Sequence, residues 1–355
     1  MNSIVSSPIC SDSSYRAQNV GFNSPSQSEP SKTVCQQLVQ FFRGLMPAPR
    51  IDISCPSITP INPALSHGEL ASALSAVSTL IEKGEGTIKD NAPFAKDVAG
   101  SRFKDIATAM HSVVRAPDGT LLPANRVHVN GHNVAIASQY PTDTNVASYL
   151  SMLAANNTPV LVVLASDKEI ANKKETGGEL LPYFRESKDY GNVQVASSLT
   201  ADQALSDGDT TINLKQYHLE IKQNGKTTSM PVVHVTNWPD HGSISAGLSK
   251  KLVEHIATTK AETLSHTHQN SEALPVIHCR AGVGRTGQLI AATELLKKDG
   301  PSLETIIKDM RFSRNRLMVQ TPTQLDALAE LAKQEGVAMT KAEALARIKA
   351  VDVMA

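Results

Sequence analysis

An excess of either charge is missing from this chain: 34 Lys and Arg are matched by 34 Asp and Glu, so the formal net charge is zero across 355 residues. No run of Lys or Arg interrupts that balance, which argues against nucleic acid as the main partner. Long apolar runs are also missing, and no membrane span is expected. The first residues lack a charged segment followed by an apolar one, so no secretory signal peptide is expected either. Cysteine is scarce. Cys10, Cys35, Cys55 and Cys279 show no C-x-x-C spacing, so neither a zinc site nor a disulfide framework is expected. Aromatic residues are few and Trp occurs once, yet an apolar content of 41% is enough for one large domain, or one plus an appendage.

What the chain does have is the stretch Pro275-Val276-Ile277-His278-Cys279-Arg280-Ala281-Gly282-Val283-Gly284-Arg285-Thr286-Gly287-Gln288. Val276 and Ile277 read as a buried strand, and Leu289, Ile290, Ala292, Leu295 and Leu296 as the apolar face of a helix after it. Between them, Cys279 opens a tight loop and Arg285 stands where the helix begins. Gly282, Gly284 and Gly287 let the backbone curl so that successive N–H groups point inward. Such a loop can hold a phosphate monoester dianion through those amides, the helix N-terminus and a bidentate Arg285. The same field lowers the pKa of Cys279, and a thiolate attacks phosphorus where a thiol does not. Gly282 to Gly287 also matches the dinucleotide fingerprint G-x-G-x-x-G, but the acidic residue expected about 20 positions on, Glu304, falls in a second helical pattern. A nucleotide P-loop fails because Cys279 replaces the first Gly and Gly284-Arg285-Thr286 replaces Gly-Lys-Ser/Thr. The plain alternative is a glycine-rich turn with a buried Cys.

His278-Cys279-x5-Arg285-Thr286 resembles the signature loop of the protein tyrosine phosphatases, above all that of the family's secreted bacterial effectors. The likeness runs from about Ser101 to Gly336. It takes in Gln139-Tyr140-Pro141, Thr158-Pro159-Val160-Leu161, Glu169-Ile170-Ala171-Asn172, Val232-Val233-His234-Val235, Asn237-Trp238-Pro239-Asp240 and Met318-Val319-Gln320. Trp238-Pro239-Asp240-His241-Gly242 alone could be only a turn; beside the Cys-x5-Arg loop it reads as the family's mobile acid loop, with Asp240 as proton donor and Trp238 in support. The resemblance implies further roles. Arg280, Ala281, Gly282, Val283 and Gly284 bind the phosphate, Thr286 bonds the leaving thiolate, and His278 orients the loop. Glu169 fixes Arg285, though an acidic residue early in a helix is common in any case. Gln320 and Gln324 position the attacking water; otherwise they form a polar helix face. Arg102-Phe103 becomes a candidate aromatic wall for a phosphotyrosine ring, though a core Phe fits the residue type equally well. No metal or cofactor is implied.

Along the chain, residues 1–33 are rich in Ser, Asn, Gln and Pro and read as disordered. Val34 to Met46 carries a helical stripe and Arg50 to Ser54 alternates like a strand. By resemblance this region, 1–63, is a secretion and chaperone-binding segment; a small packed appendage is the alternative. Helices are expected at Leu65–Glu82, Ser101–Met110, Val146–Ala155, Ser249–Lys260, Ser302–Arg311 and Thr323–Lys333. Strands are expected at Val160–Ala165, Asn192–Leu199, Leu214–Lys222 and Thr227–Val235, with hairpins at Asn130-Gly131 and Asn224-Gly225. His266 and His268 have no third ligand nearby, so Thr263–Ser271 reads as a solvated loop. Arg311, Arg314 and Arg316 read as solvated charge.

The strand–loop–helix order indicates an α/β domain, a twisted mixed sheet flanked by helices, over 64–337, with a tail at 338–355. The resemblance implies the same fold and a tyrosine phosphatase acting through a cysteinyl-phosphate. It also implies export by type III secretion into a host cell, where phosphotyrosine proteins are the substrates. The alternatives are an endogenous cytoplasmic phosphatase, a relative acting on phosphoserine, phosphothreonine, lipid or RNA phosphate, and a phosphotyrosine-binding protein without turnover.

Overall fold

The computed structural model describes residues 63–354 apart from 175–176 and 268–272. The expected helix at 34–46 and strand at 50–54 lie outside these residues, as do Cys10, Cys35 and Cys55.

Leu161, Val162, Val163 and Leu164 are all fully buried, with alternate side chains in two separate cores. A strand can bury both faces only inside a covered sheet. Accordingly β7 (Leu161–Val163) lies at the centre of a nine-stranded mixed sheet, ordered β4-β5-β6-β12-β7-β11-β10-β9-β8. Its middle is parallel: β6 (His132–Ser138), β12 (Val276–His278), β7 and β11 (Lys226–Val235) all run the same way. Antiparallel wings flank it, β4 (Val113–Arg115) with β5 (Leu121–Val129) on one side and β10 (Thr210–Gln223), β9 (Val193–Asp207) and β8 (Lys188–Tyr190) on the other. Asn130 and Asn224 close the β5–β6 and β10–β11 hairpins at φ of 50° and 51°, each followed by a glycine at positive φ. Asn and Gly tolerate that region, which is why Asn-Gly marks such turns.

One face of the sheet is covered by α1 (Pro63–Lys83), α4 (Ala246–Thr267), α5 (Gly284–Leu295), α6 (Leu303–Ser313) and α7 (Pro322–Gln334). The other carries α2 (Val146–Ala155), with Tyr140, Tyr183 and Phe184. The short α3 (Asp167–Ala171) follows β7, and α8 (Lys341–Met354) occupies much of the segment expected as a tail. A small sheet of β1 (Glu85–Gly86), β2 (Phe94–Ala95) and β3 (Thr108–Ala109) packs Phe94, Ala107 and Ala109 against Val77 and Ile81 of α1. In α6 the amphipathic stripe is fully used, since Leu303, Ile306, Ile307 and Met310 are all fully buried. Each such side chain stabilises the fold by roughly 1.5–3 kcal/mol.

Four expectations need correction. Ser101–Met110 is not a helix but a series of turns ending in β3. Tertiary bonds override its local pattern: the Arg102 guanidinium donates to the carbonyls of Tyr140, Pro141, Gly177 and Gly178, and Gln139 Oε1 accepts from the Phe103 N–H. Strands β9 and β10 run on through 200–213, where ladder bonds rather than burial hold a largely exposed ribbon, so no apolar period marks it. Helix α4 continues to Thr267, into the tract expected as a loop. Arg311 and Arg314 are buried and Arg316 is only partly exposed. All three donate to protein acceptors: Arg311 and Arg314 mainly to backbone carbonyls, Arg316 to the carboxylates of Glu82 and Glu85.

Candidate active site

The four parallel strands end on the same side of the sheet, and each hands over one piece of the site. β6 leads into Gln139 and Tyr140, β12 into Cys279, β7 into Ser166 and Glu169, and β11 into Trp238 and Asp240. Open α/β sheets bind ligands at such carboxyl ends. The pocket there has a volume of about 360 Å³ and is lined by Cys279, Arg280, Arg285, Asp240, Phe103 and Gln320, among others.

Cys279 is only 3% exposed. The loop after it turns at Gly282, whose φ is +70° and where a Cβ would stand 2.0 Å from the Ser138 carbonyl oxygen, so no other residue fits. That turn brings the Gly282 N–H to 3.3 Å from the sulfur. Helix α5 begins at Gly284, two residues on, aiming its positive end at the same place. Burial by itself would push the Cys279 thiol up, but the Arg285 charge, the hydroxyl and amide of Thr286 and the Gly282 amide outweigh it and hold the pKa below its ordinary value.

Arg285 is held from below. Glu169 takes it in a two-pronged pair at 2.7 and 2.8 Å, and the carbonyls of Leu164 and Trp238 accept from the same guanidinium. Burial favours its neutral form, yet the bonds and charges of Glu169, with those of Cys279 and Asp240, raise its pKa instead. Its buried Nε has no protein partner among the described residues. Glu169 is itself fixed by Ser166, whose amide and hydroxyl donate to it at 2.7 and 2.8 Å within a capping box. The Ser166-x-x-Glu169 spacing is the sequence signal for that box, and Ser166 was missing from the expected site.

His278 Nδ1 lies 2.9 Å from the Cys279 carbonyl oxygen, which can only accept, so the proton sits on Nδ1 and Nε2 accepts from the Tyr183 hydroxyl at 2.6 Å. Burial among Tyr140, Tyr149 and Tyr183 pushes its pKa down to about 4, so it is neutral near neutral pH.

Asp240 reaches back over the pocket. Its carboxylate pairs with Arg280 Nη1 at 2.7 Å and Arg285 Nη2 at 2.8 Å. Trp238, fully buried, donates its indole N–H to Gly242 O and braces the loop. The Arg280 guanidinium stands 5.4 Å from the centre of the Phe103 ring, so Phe103 belongs to the pocket rim although it sits on a turn rather than a helix. Gln320 lines the pocket. Gln324 lines it too, and its fully buried amide is bonded to the chain: Oε1 accepts from the Gln320 and Thr321 amides, and Nε2 donates to Gly242 O. Of the basic residues read as solvated, Arg314 comes nearest the loop after Cys279, donating to Ala281 O, and no feature of the sequence marks it for that place.

The parallel-strand carboxyl ends and the thiol beneath an anchored guanidinium define an α/β protein of the Cys-x5-Arg class. Residues 99–333 match the family model of the protein-tyrosine phosphatases, and the chain belongs to that family. It is 42% identical over 247 residues to the tyrosine-protein phosphatase YopH of Yersinia pseudotuberculosis, covering 66% of this chain and 50% of that protein. To the secreted effector protein SptP of Salmonella typhi it is 31% identical over 277 residues, covering 75% and 48%. The chain thus spans about half the length of these relatives. The catalytic domain of human protein tyrosine phosphatase non-receptor type 18 shares the fold, with a TM-score of 0.58 at 17% identity over 77% of this chain and 99% of that one.

Proposed function

We propose that the protein is a cysteine-dependent protein tyrosine phosphatase that removes phosphate from phosphotyrosine in host-cell proteins. The observation that carries this reading is the thiol of Cys279, buried in the pocket lining with its pKa lowered by the Arg285 charge. In the first step the thiolate attacks phosphorus, the phosphorus–oxygen bond to the ring breaks, and Asp240 gives its proton to the departing phenolate. A phenolate with a conjugate pKa of about 10 leaves poorly without that proton. Arg285, with its Nε free to bond an oxyanion, and the loop amides from Arg280 to Gly284 stabilise the equatorial oxygens. In the second step Gln320 orients a water that attacks phosphorus, Asp240 takes its proton, and the sulfur leaves as thiolate with help from Thr286. Glu169, Trp238 and His278 support this machinery without touching substrate, and Gln324, at the pocket wall beside Gln320, is assigned to placing the water with it. The domain assignment is 64–337 for the phosphatase and 338–355 for a tail.

Similarity to a protein named as a secreted effector supports export, and we assign residues 1–63 to type III secretion and chaperone binding, with action in the host cytoplasm. The test of activity is hydrolysis of a panel of phosphopeptides and phosphoinositides beside Cys279→Ser. Turnover of phosphotyrosine peptides that vanishes in the variant supports the reading, whereas preference for another ester, or activity surviving without the thiol, overturns it. Export of the chain with and without residues 1–63 tests the second assignment.

A further inference from the structure

Val319, immediately before Gln320, has a φ of +61°. A β-branched residue avoids this left-handed region, because its side chain crowds the backbone there. The turn it makes is what brings the next residue, Gln320, to the pocket wall. Something must therefore hold the strained peptide in place.

Part of the grip is local. The Val319 amide donates to Val283 O at 3.2 Å, and Gly287 leaves room for the approach, since a Cβ there would lie 2.5 Å from Val319 N. The rest comes from Arg311. Its Nε donates to Met318 O at 3.1 Å and its Nη2 to Val319 O at 3.4 Å, so one guanidinium holds two successive carbonyls of the turn. Its other edge holds α1, through Nη1 to Leu74 O at 2.7 Å and to Ser78 Oγ at 2.9 Å. Helix α1 precedes the segment that the family model matches.

Arg311 is buried, and among the described residues no carboxylate offsets that burial, which lowers its pKa to about 10. Burying a cation against neutral acceptors alone is costly, and a well-packed methionine would fill the same space more cheaply. What methionine lacks is the planar fork of donors that spans two carbonyls on one side and a carbonyl and hydroxyl on the other. We propose that Arg311 is a positioning residue for the second chemical step, clamping the 318–320 turn to α1 so that Gln320 presents its amide to the attacking water. This rests on the reading of Gln320 given under Proposed function. In that step water forms the new phosphorus–oxygen bond, the sulfur–phosphorus bond breaks with its electron pair going to Cys279, and the water's proton goes to Asp240.

The experiment separates the two steps. With an aryl phosphate, kcat/KM reports only events up to departure of the phenol, while kcat includes hydrolysis of the phosphoenzyme. In the full chain, Arg311→Met is expected to lower kcat about tenfold, with KM falling in proportion and kcat/KM unchanged within about twofold. Stopped-flow traces should show a phenol burst approaching about one equivalent per enzyme, larger than that of the unaltered protein. Gln320→Ala should behave alike, Arg311→Lys should recover part of kcat, and Ser78→Ala, which leaves the guanidinium in place, should show a weaker form of the same pattern. If Arg311→Met fails to fold, Arg311→Lys and Ser78→Ala decide the matter. A burst in Gln320→Ala but in none of the Arg311 and Ser78 variants overturns the role of Arg311 and leaves that of Gln320 standing. No burst in Gln320→Ala sinks the reading of Gln320 and the inference with it. A matching fall of kcat and kcat/KM in the Arg311 variants makes the residue a tether of the fold and nothing more.

Discussion

Asp240 Oδ1 lies 2.8 Å from Arg285 Nη2, so the loop after β11 lays its carboxylate on the guanidinium that we assign to the incoming phosphate. Substrate and Asp240 compete for one cation. Removing the competitor should tighten oxyanion binding: Asp240→Ala is expected to lower the vanadate inhibition constant about fivefold, the equivalent of a partly exposed ion pair of roughly 1 kcal/mol. Unchanged or weaker vanadate inhibition would show that the contact carries no energy.

The same variant should trap substrate. It lacks the proton donor but keeps Cys279, Arg285 and the loop amides, so kcat should fall by at least about a hundredfold while affinity for phosphotyrosine peptides rises with that for vanadate. Retention of phosphotyrosine proteins from host lysate is the companion readout. Equal losses in affinity and turnover would make Asp240 a binding group.

A bell-shaped pH dependence of kcat/KM is expected for a doubly ionised substrate, because the thiolate and a protonated Asp240 are needed together. The acid limb belongs to Cys279: its pKa is lowered, so the thiolate persists below the usual thiol range and is lost only as pH falls through that lowered value. Asp240→Asn should abolish the basic limb. Its survival in that variant would assign the acid role to another residue.

Phe103→Ala should weaken phosphotyrosine peptides by about 0.5–1.5 kcal/mol beyond burial, while vanadate, which sits below the ring, inhibits as before. The comparison belongs in one variant. A parallel loss of oxyanion affinity would make Phe103 a core residue, and no change in either would place the wall elsewhere.

Stability should fall on acidification through the buried imidazoles. His278 and His234 are held neutral with pKa values pushed down to about 4, so the unfolded chain binds more protons than the folded one between about pH 6.5 and 4. The stabilisation is complete above pH 6.5 and is lost at up to roughly 1.4 kcal/mol per pH unit for each group as pH falls through that window. Urea melts at pH 7 and 5 measure it, and identical midpoints would mean that these rings are not kept neutral.

The phosphate loop was legible because its chemistry is local in sequence: Cys279, three glycines and Arg285 span nine residues, and the strand and helix that flank it carry their own periods. The Asn-Gly hairpins were legible for the same reason. What could not be read was set by distant partners. Arg102 unwinds the expected 101–110 helix through carbonyls 38 to 76 positions away, and Arg311 reaches Leu74 across 237. A buried arginine bonded to carbonyls and a solvated one look alike in a sequence, since neither needs an acidic neighbour at a fixed spacing. The 200–213 end of the β9–β10 ribbon failed differently: it is largely exposed, so little apolar pattern marks it.

The chain's one tryptophan, Trp238, is buried at the base of the acid loop, with its indole N–H on Gly242 O and its own carbonyl on Arg285. In optical terms the loop carries its own label. Indole emission responds to polarity and to the N–H partner, and with no second tryptophan to average over, any change in emission on adding an oxyanion comes from this one hinge. Any movement of the loop can therefore be timed in the unaltered protein, without attaching a dye to it.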